Sequence, residues 1–319
     1  MNSIEVKNLT KKFGKFVSVD SISFDVKEGE VFGFLGANGA GKSTTIKMLC
    51  GILEATSGDA TVAGYSINTQ SDLVKMNIGY MSQKFSLYND LTVNENINFF
   101  GGVYGLSNHK LKERKAWVLK IAGLEGKENF MTKNLSGGYK QRLALGCAVI
   151  HEPKIVFLDE PTGGVDPISR RSFWDLINWL STNGVTVFVT THYLDEAEFC
   201  NRIMMIDAGK IIAGGTPQEL KEKYLDKAIF EIETDDLESS LAILDKVPWV
   251  ANASFFGKYV HCTTPFTDST GYDNSKKMEI LRSDLEQNNI KVIRITKILP
   301  TLEDVFVNLL EPGGHKDAA

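Results

Sequence analysis

No apolar run in this sequence reaches the roughly 18 residues that a bilayer-spanning helix needs. If the chain serves a membrane process, another chain must supply the membrane part. The start, Met1-Asn2-Ser3-Ile4-Glu5-Val6-Lys7, has no apolar stretch of the kind that opens a signal peptide. Cysteine is scarce and dispersed. Cys50, Cys147, Cys200 and Cys262 form no C-x-x-C pair, which leaves no metal or redox spacing and fits free thiols in a reducing compartment. An excess of basic charge is missing as well. Lysine and arginine total 35 against 40 acidic residues, a net charge of −5, which argues against a broad nucleic-acid footprint. The 319 residues are 43% hydrophobic and 24% charged, the balance of a globular protein with room for a sizeable core.

One stretch organises the rest. Gly36-Ala37-Asn38-Gly39-Ala40-Gly41-Lys42-Ser43, followed by Thr44, fits the phosphate-loop pattern G-x-x-x-x-G-K-[ST]. Val31 to Leu35 before it read as a buried strand, and Thr44 to Leu49 after it as the first turns of a helix. Glycines let the backbone wrap an anion and present bare N–H groups to it. The helix start turns its positive dipole end into the loop. Lys42 supplies a mobile charge for β and γ phosphates, and Ser43 a hydroxyl for Mg²⁺.

Ahead of the loop, Ile4 to Val26 read as short strands. Phe13 lies in a lysine-rich turn, where it could stack on a purine base or anchor the turn. Gly58 to Tyr65 suggest a hairpin, followed by a polar connection. Ile78 to Gln83 read as a buried strand ending in a glutamine, on the side where α/β folds bind ligands. Its amide could take Mg²⁺, orient a water, or do neither. Residues 84–130 look helical, with Thr92 and Glu95 as a capping box. The aromatics Phe85, Tyr88, Phe99, Phe100 and Tyr104 either pack a core or line a groove for a partner's helix.

Ser136-Gly137-Gly138 opens a further helix, as a second anion-binding start or an ordinary cap. Ile155 to Leu158 form a buried strand with Asp159 and Glu160 at its end. Two adjacent acids there suit a Mg²⁺ water shell at Asp159 and a polarised water at Glu160. A helix carrying Phe173, Trp174, Ile177 and Leu180 on one face comes next. Val185 to Thr191 then lead to His192 at the same sheet edge, where it either touches a γ-phosphate or is structural. Arg202 to Gly214 read as a hairpin. The composition shifts near Asp226, and the order beyond it reads β-α-β-β-α-β-α, a ferredoxin-like order with one added helix.

Taken jointly, these residues resemble the ATP-binding subunit of an ABC transporter. The resemblance covers about residues 3–225. It rests on residues 36–43 as Walker A, Gln83 as the Q-loop, residues 135–139 as the signature, residues 155–160 as Walker B, residues 163–166 as the D-loop and His192 as the switch histidine. Leu302-Glu303-Asp304-Val305-Phe306 is similar to the close of the type-2 export branch, which carries a C-terminal accessory domain. Three positions depart from the family pattern: Tyr139 where Gln is usual, Phe13 where Tyr is, and Gly163 where Ser is frequent.

The resemblance implies an α/β P-loop NTPase of the ABC ATPase type, with a mixed sheet core, a helical subdomain at about 84–150, and a small ferredoxin-like α+β domain. The implied boundaries are 1–225 for the nucleotide-binding domain, 226–311 for the accessory domain and 312–319 for a disordered tail. It further implies an ATPase using ATP and Mg²⁺. Phe13, Gly36, Asn38, Gly39, Ala40, Gly41, Lys42, Ser43 and Thr44 would bind nucleotide in one subunit, and Ser136, Gly137 and Gly138 would close over it from a second copy or a paralogue. Ser43, Gln83 and Asp159 would serve the metal; Glu160, His192 and Lys42 would serve catalysis. The implied partners are separate transmembrane permease subunits, with no nucleic acid. The implied location is cytoplasmic, at the inner face of the cell membrane. The alternative within the same superfamily is a soluble ABC-type ATPase acting on ribosomes or DNA, and the acidic charge balance disfavours it.

Overall fold

The computed structural model describes residues 1–84, 86–222, 227–265 and 271–310. The chain divides into two units, Met1–Pro217 and Gln218–Ala319. The division falls at the proline that opens a short helix, ahead of the composition shift near Asp226.

The first unit begins with two long antiparallel strands, β1 (Asn2–Phe13) and β2 (Phe16–Lys27). They are longer than the short strands the sequence suggests. Their ladder runs on through register shifts that break the apolar alternation, with Asn8 and Ser21 at positive φ, as bulges require. With β4 (Ser57–Val62) and β5 (Tyr65–Ser66) they form a sheet in the order β2-β1-β4-β5. The polar connection after β5 holds an unforeseen helix, α2 (Ser71–Asn77). Only its Val74 is buried, too little for an amphipathic signal.

The second sheet positions the site. Its members are β3 (Val31–Leu35), β6 (Ile78–Met81), β7 (Ile155–Asp159), β8 (Thr186–Thr191), β9 (Arg202–Asp207) and β10 (Lys210–Gly215). They lie in the order β10-β9-β3-β8-β7-β6, parallel except for the β9–β10 hairpin. Every residue of β3, β7 and β8 is buried, as expected of apolar strands covered on both faces. Phe24, Phe32, Phe34, Phe157 and Phe188 meet with ring centroids 5.4 to 6.1 Å apart. One core therefore joins the antiparallel sheet, the parallel sheet and α1 (Lys42–Leu49).

The helical region consists of α3 (Val93–Val103), α4 (Asn108–Ala122) and α5 (Gly137–Ala148). Its helices share a separate core of Val93, Ile97, Val118, Leu124, Leu143 and Cys147. Thr92 and Glu95 form the expected capping box. The helical reading to residue 130 is too long. Gly123, at φ 64°, ends α4, and the chain returns as a turn that bridges Met131 to Thr92. The apolar face of α6 (Pro167–Thr182) buries Phe173, Trp174, Ile177 and Leu180.

The second unit holds β11 (Lys227–Thr234), α8 (Leu237–Leu244), β12 (Asn252–Phe256), β13 (Tyr259–Pro265), α9 (Asn274–Gln287), β14 (Val292–Ile298) and α10 (Leu302–Leu310), after α7 (Pro217–Glu222). The sheet is antiparallel in the order β12-β13-β11-β14, and the element order is the one read from the sequence. Phe85 and the proposed tail lie outside the described residues.

Candidate functional site

The loop after β3 owes its path to contacts that only glycine permits. A Cβ on Gly36 would lie 2.2 Å from the Ile206 carbonyl oxygen. Gly41 holds φ at 110° and leaves 2.6 Å to the Ser18 carbonyl oxygen for any Cβ. Ala37, Asn38 and Gly39 form the exposed tip of the loop, while Ala40 and Gly41 are buried. Behind the loop, Thr44 Oγ1 accepts a hydrogen bond from Ser18 Oγ at 2.9 Å.

Lys42 begins α1 and turns back into its own loop. Its Nζ donates to the carbonyls of Gly36 (2.8 Å) and Ala37 (3.1 Å) and lies 3.2 Å from Glu160 Oε1. Ser43, on the same turn, donates to Asp159 Oδ1 at 3.0 Å. Thr190, at the end of β8, donates to that same oxygen at 2.8 Å. Asp159 thus binds the phosphate loop to two neighbouring strands.

Glu160 is the hub. It sits just past β7 at φ 47°, a strained conformation for a residue with a side chain. Its N–H is anchored by the backbone carbonyl and hydroxyl of Thr190, at 3.1 and 3.0 Å. Three groups converge on its carboxylate: Lys42, Gln83 Nε2 at 3.0 Å and His192 Nδ1 at 3.2 Å. Gln83 lies two residues past the end of β6, in the loop rather than in the strand. The parallel strand order brings β3, β6, β7 and β8 to one edge, so residues far apart in sequence meet there.

Other expected site residues stand apart from this cluster. Phe13 ends β1, 49% exposed as a residue, with Lys11 Nζ 5.2 Å from its ring centroid. Among the described residues no hydrogen bond or ring contact links it to residues 36–43. Ser136 caps α5 by position, with its hydroxyl making no capping bond, and Gly137 is open to solvent. Gly138 packs on Ser169 of α6 so closely that a Cβ would clash with it. Among the described residues no hydrogen bond joins this helix start to the phosphate loop. Tyr139 lies under Lys127 Nζ, 3.9 Å from its ring centroid, and that cation lowers its phenol pKa.

Burial holds all four thiols well above their ordinary pKa, so none of these cysteines offers a thiolate. Tyr80 is pushed up too, by burial first and by the charge of Asp159 second. Sequence reading missed Thr190. Its signal was a pair of hydroxyls, Thr190 and Thr191, closing a strand whose middle, Val187 to Val189, is apolar. A buried hydroxyl needs a partner; Asp159 of the adjacent strand supplies it for Thr190, and Glu196 of the turn after β8 supplies it for Thr191.

The fold and this cluster define a P-loop nucleotide-binding protein of the ABC type. The ABC transporter family profile matches residues 19–163. Linearmycin resistance ATP-binding protein LnrL of Bacillus subtilis strain 168 is 36% identical over 308 residues, 96% of this chain and 97% of that protein. Nod factor export ATP-binding protein I of Rhizobium sp. strain N33 is 34% identical, with 96% of each covered. The chain accordingly belongs to the ATP-binding proteins of ABC transporters.

The probable multidrug ABC transporter ATP-binding protein YbhF of Escherichia coli K12 is 54% identical over 218 residues. That match takes in 68% of this chain but spans only 38% of YbhF. Among solved structures, a dimeric post-hydrolysis state of the ATP-binding cassette MJ0796, bound to ADP and Pi, aligns with TM-score 0.61 at 28% identity. It covers 67% of this chain and 98% of that one.

Proposed function

We propose that this chain binds MgATP in residues 1–225 and hydrolyses it to power export through separate membrane subunits. The observation that carries this reading is the convergence of Lys42, Gln83 and His192 on Glu160. A carboxylate held by a cation, an amide and an imidazole beside a phosphate loop is placed to polarise an attacking water.

The remaining roles follow from position. Backbone N–H groups of residues 36–44 cradle the phosphates, and Lys42 exchanges its loop carbonyls for β and γ oxygens. The Ser43 hydroxyl and the Asp159 carboxylate, already 3.0 Å apart, form a hard-oxygen pair suited to Mg²⁺, with the Gln83 amide oxygen nearby in the same cluster. When bound, the metal neutralises charge developing on the phosphates. His192 orients Glu160 and meets the γ-phosphate. Phe13, exposed at a strand end, stacks on the base. Ser136, Gly137 and Gly138 face a nucleotide held by another subunit, since they make no hydrogen bond to their own loop among the described residues. A two-fold pair of subunits would then contain two equivalent sites.

Export is supported by the names of the full-length relatives, one a linearmycin resistance protein and one a Nod factor export protein. No helix among the described residues is long and apolar enough to cross a membrane. On this reading the chain works at the cytoplasmic face, docked to permease subunits through the aromatic side of α3, and residues 226–311 form an accessory domain.

The test is calorimetric MgATP titration together with phosphate release by the purified chain. Binding followed by turnover is expected. A chain that neither binds MgATP nor releases phosphate overturns the reading.

A further inference from the structure

Two loops that hold the proposed reaction centre meet on one buried acid that the mechanism above does not use. Glu196, in a short 3₁₀ turn after β8, is only 1% exposed. Its Oε2 accepts the hydroxyl of Thr162 at 2.8 Å and the hydroxyl of Thr191 at 3.0 Å. Both threonines are also 1% exposed.

Their positions matter. Thr162 lies two residues beyond Glu160, at the head of the turn that leads to α6. Thr191 immediately precedes His192. Besides donating to Glu196, the Thr191 hydroxyl accepts the N–H of Tyr193 at 2.9 Å, so one side chain brackets His192 from both sides. The opposite face of the carboxylate meets Arg170 of α6, with Nε 3.3 Å from Oε1. That contact pairs charge without the alignment of a hydrogen bond, since neither atom has a hydrogen-bond partner. The guanidinium rests on the Tyr193 ring, 4.4 Å from its centroid. On the far side, the carbonyl of Pro161, between Glu160 and Thr162, accepts the side-chain amide of Gln141, a fully buried residue of α5.

We infer that Glu196 is a positioning residue for ATP hydrolysis, fixing the Glu160 turn and the His192 turn in one frame. The inference rests on the proposed ATPase reading. A carboxylate in this place carries a desolvation cost, and its hydroxyl donors and Arg170 offset it. Burying an acid only to support the fold would leave catalysis indifferent to the hydroxyl donors. Holding Glu160 and His192 in register makes catalysis depend on both, because misplacement by about 1 Å can cost on the order of 100-fold in rate. The same frame reaches α5 through Gln141. The helix that presents Ser136 to a neighbouring subunit is thereby tied to the reaction centre of its own subunit.

The experiment compares kcat, KM for MgATP and MgATP affinity for the wild type, Glu160→Gln, Glu196→Leu, Glu196→Gln, Thr162→Val and Thr191→Val. Glu196→Leu is expected to lower kcat about 10- to 100-fold with KM and affinity within about twofold, because residues 36–43 are untouched. Glu196→Gln keeps an acceptor oxygen for both hydroxyls and should recover most of the rate. Each Thr→Val variant should fall between. If Glu196→Leu does not fold, the two threonine variants decide the matter. Wild-type rates in Thr162→Val and Thr191→Val overturn the inference. So does parallel loss of kcat and affinity in Glu196→Leu with no rescue by Glu196→Gln, which marks a purely structural acid. A wild type without turnover, or Glu160→Gln at full rate, sinks the ATPase reading instead.

Discussion

Lys42 and Glu160 form a buried ion pair, 3.2 Å from Nζ to Oε1, with 4% and 9% of their side chains exposed. The cation proposed to bind phosphate is therefore parked on the acid proposed to activate water. Removing Lys42 has two consequences. Lys42→Ala should bind MgATP at least about tenfold more weakly, from the lost phosphate contact. It should also lower the melting temperature without nucleotide, because one partner of a buried pair is left behind, a loss of roughly 3–5 kcal/mol at most. Gln83 and His192 remain on Glu160 and soften the second effect. Calorimetry and thermal unfolding check the two separately, and unchanged affinity would contradict the loop assignment.

Gly36 and Gly39 lie in the same loop but are constrained differently. Gly36→Ala forces a methyl against the Ile206 carbonyl at 2.2 Å, a backbone atom that cannot rotate away. Gly39→Ala meets nothing within 4 Å but must hold φ at 86°. The expected stability losses are about 2 kcal/mol or more for Gly36→Ala and about 1 kcal/mol for Gly39→Ala. Denaturant unfolding of both variants should show that order, and a reversed order would contradict the loop path described above.

Thr190 serves both acids, donating to Asp159 and holding the Glu160 N–H. Thr190→Val keeps the shape and deletes the hydroxyl. The buried groups left unpaired should cost about 1–3 kcal/mol. Mg²⁺ dependence of turnover should shift to higher metal concentration, because Asp159 loses a partner that fixes its orientation. A variant with wild-type stability and metal dependence would show that Thr190 is a bystander.

His151 gives the fold a pH dependence. It stacks on Tyr104 with ring centroids 3.5 Å apart, and its Nε2–H donates to the Ile78 carbonyl at 3.0 Å. Burial, aided by the nearby Arg114 charge, pushes it down to about 4. In the unfolded chain a histidine titrates near 6.5. Between those values the unfolded chain binds the proton and the folded chain refuses it. This contribution to stability is complete above about pH 6.5 and is lost as pH falls toward about 4. Melting temperature measured from pH 7 to 4.5 should fall less steeply for His151→Phe than for the wild type. Equal slopes would contradict the burial of a neutral imidazole.

Much of the site is legible in the sequence because its parts are short and local. Residues 36–43 announce a turn, an anion and a helix start together. Asp159 and Glu160 stand out because two acids close an apolar strand. The sequence places Gln83, Asp159, Glu160 and His192 at one strand edge; what it does not carry is the contacts among them. That Gln83 and His192 reach Glu160 depends on the order β3-β8-β7-β6, which no local pattern encodes. Thr162, Thr191 and Glu196 escape for a related reason. Each is an ordinary residue whose meaning lies in a contact across 34 or 5 positions. The long β1 and β2 were obscured by bulges, and α2 by its single buried side chain. In the second unit the alternation of Phe230 and Ile232, with the helical spacing of Leu237, Leu241 and Leu244 and of Met278, Leu281 and Leu285, was clear enough to give the element order.

On the proposed reading, Glu160 activates the attacking water while Lys42, Gln83 and His192 hold it. Glu160→Gln preserves size and most hydrogen bonds but cannot act as a base. Rapid-mixing measurement of phosphate release in a single turnover isolates the chemical step from binding and product release. The assignment of Glu160 as the base requires that Glu160→Gln bind MgATP with near wild-type affinity and release phosphate at least about 100-fold more slowly. Phosphate release at the wild-type rate by a properly folded, MgATP-bound Glu160→Gln would contradict it.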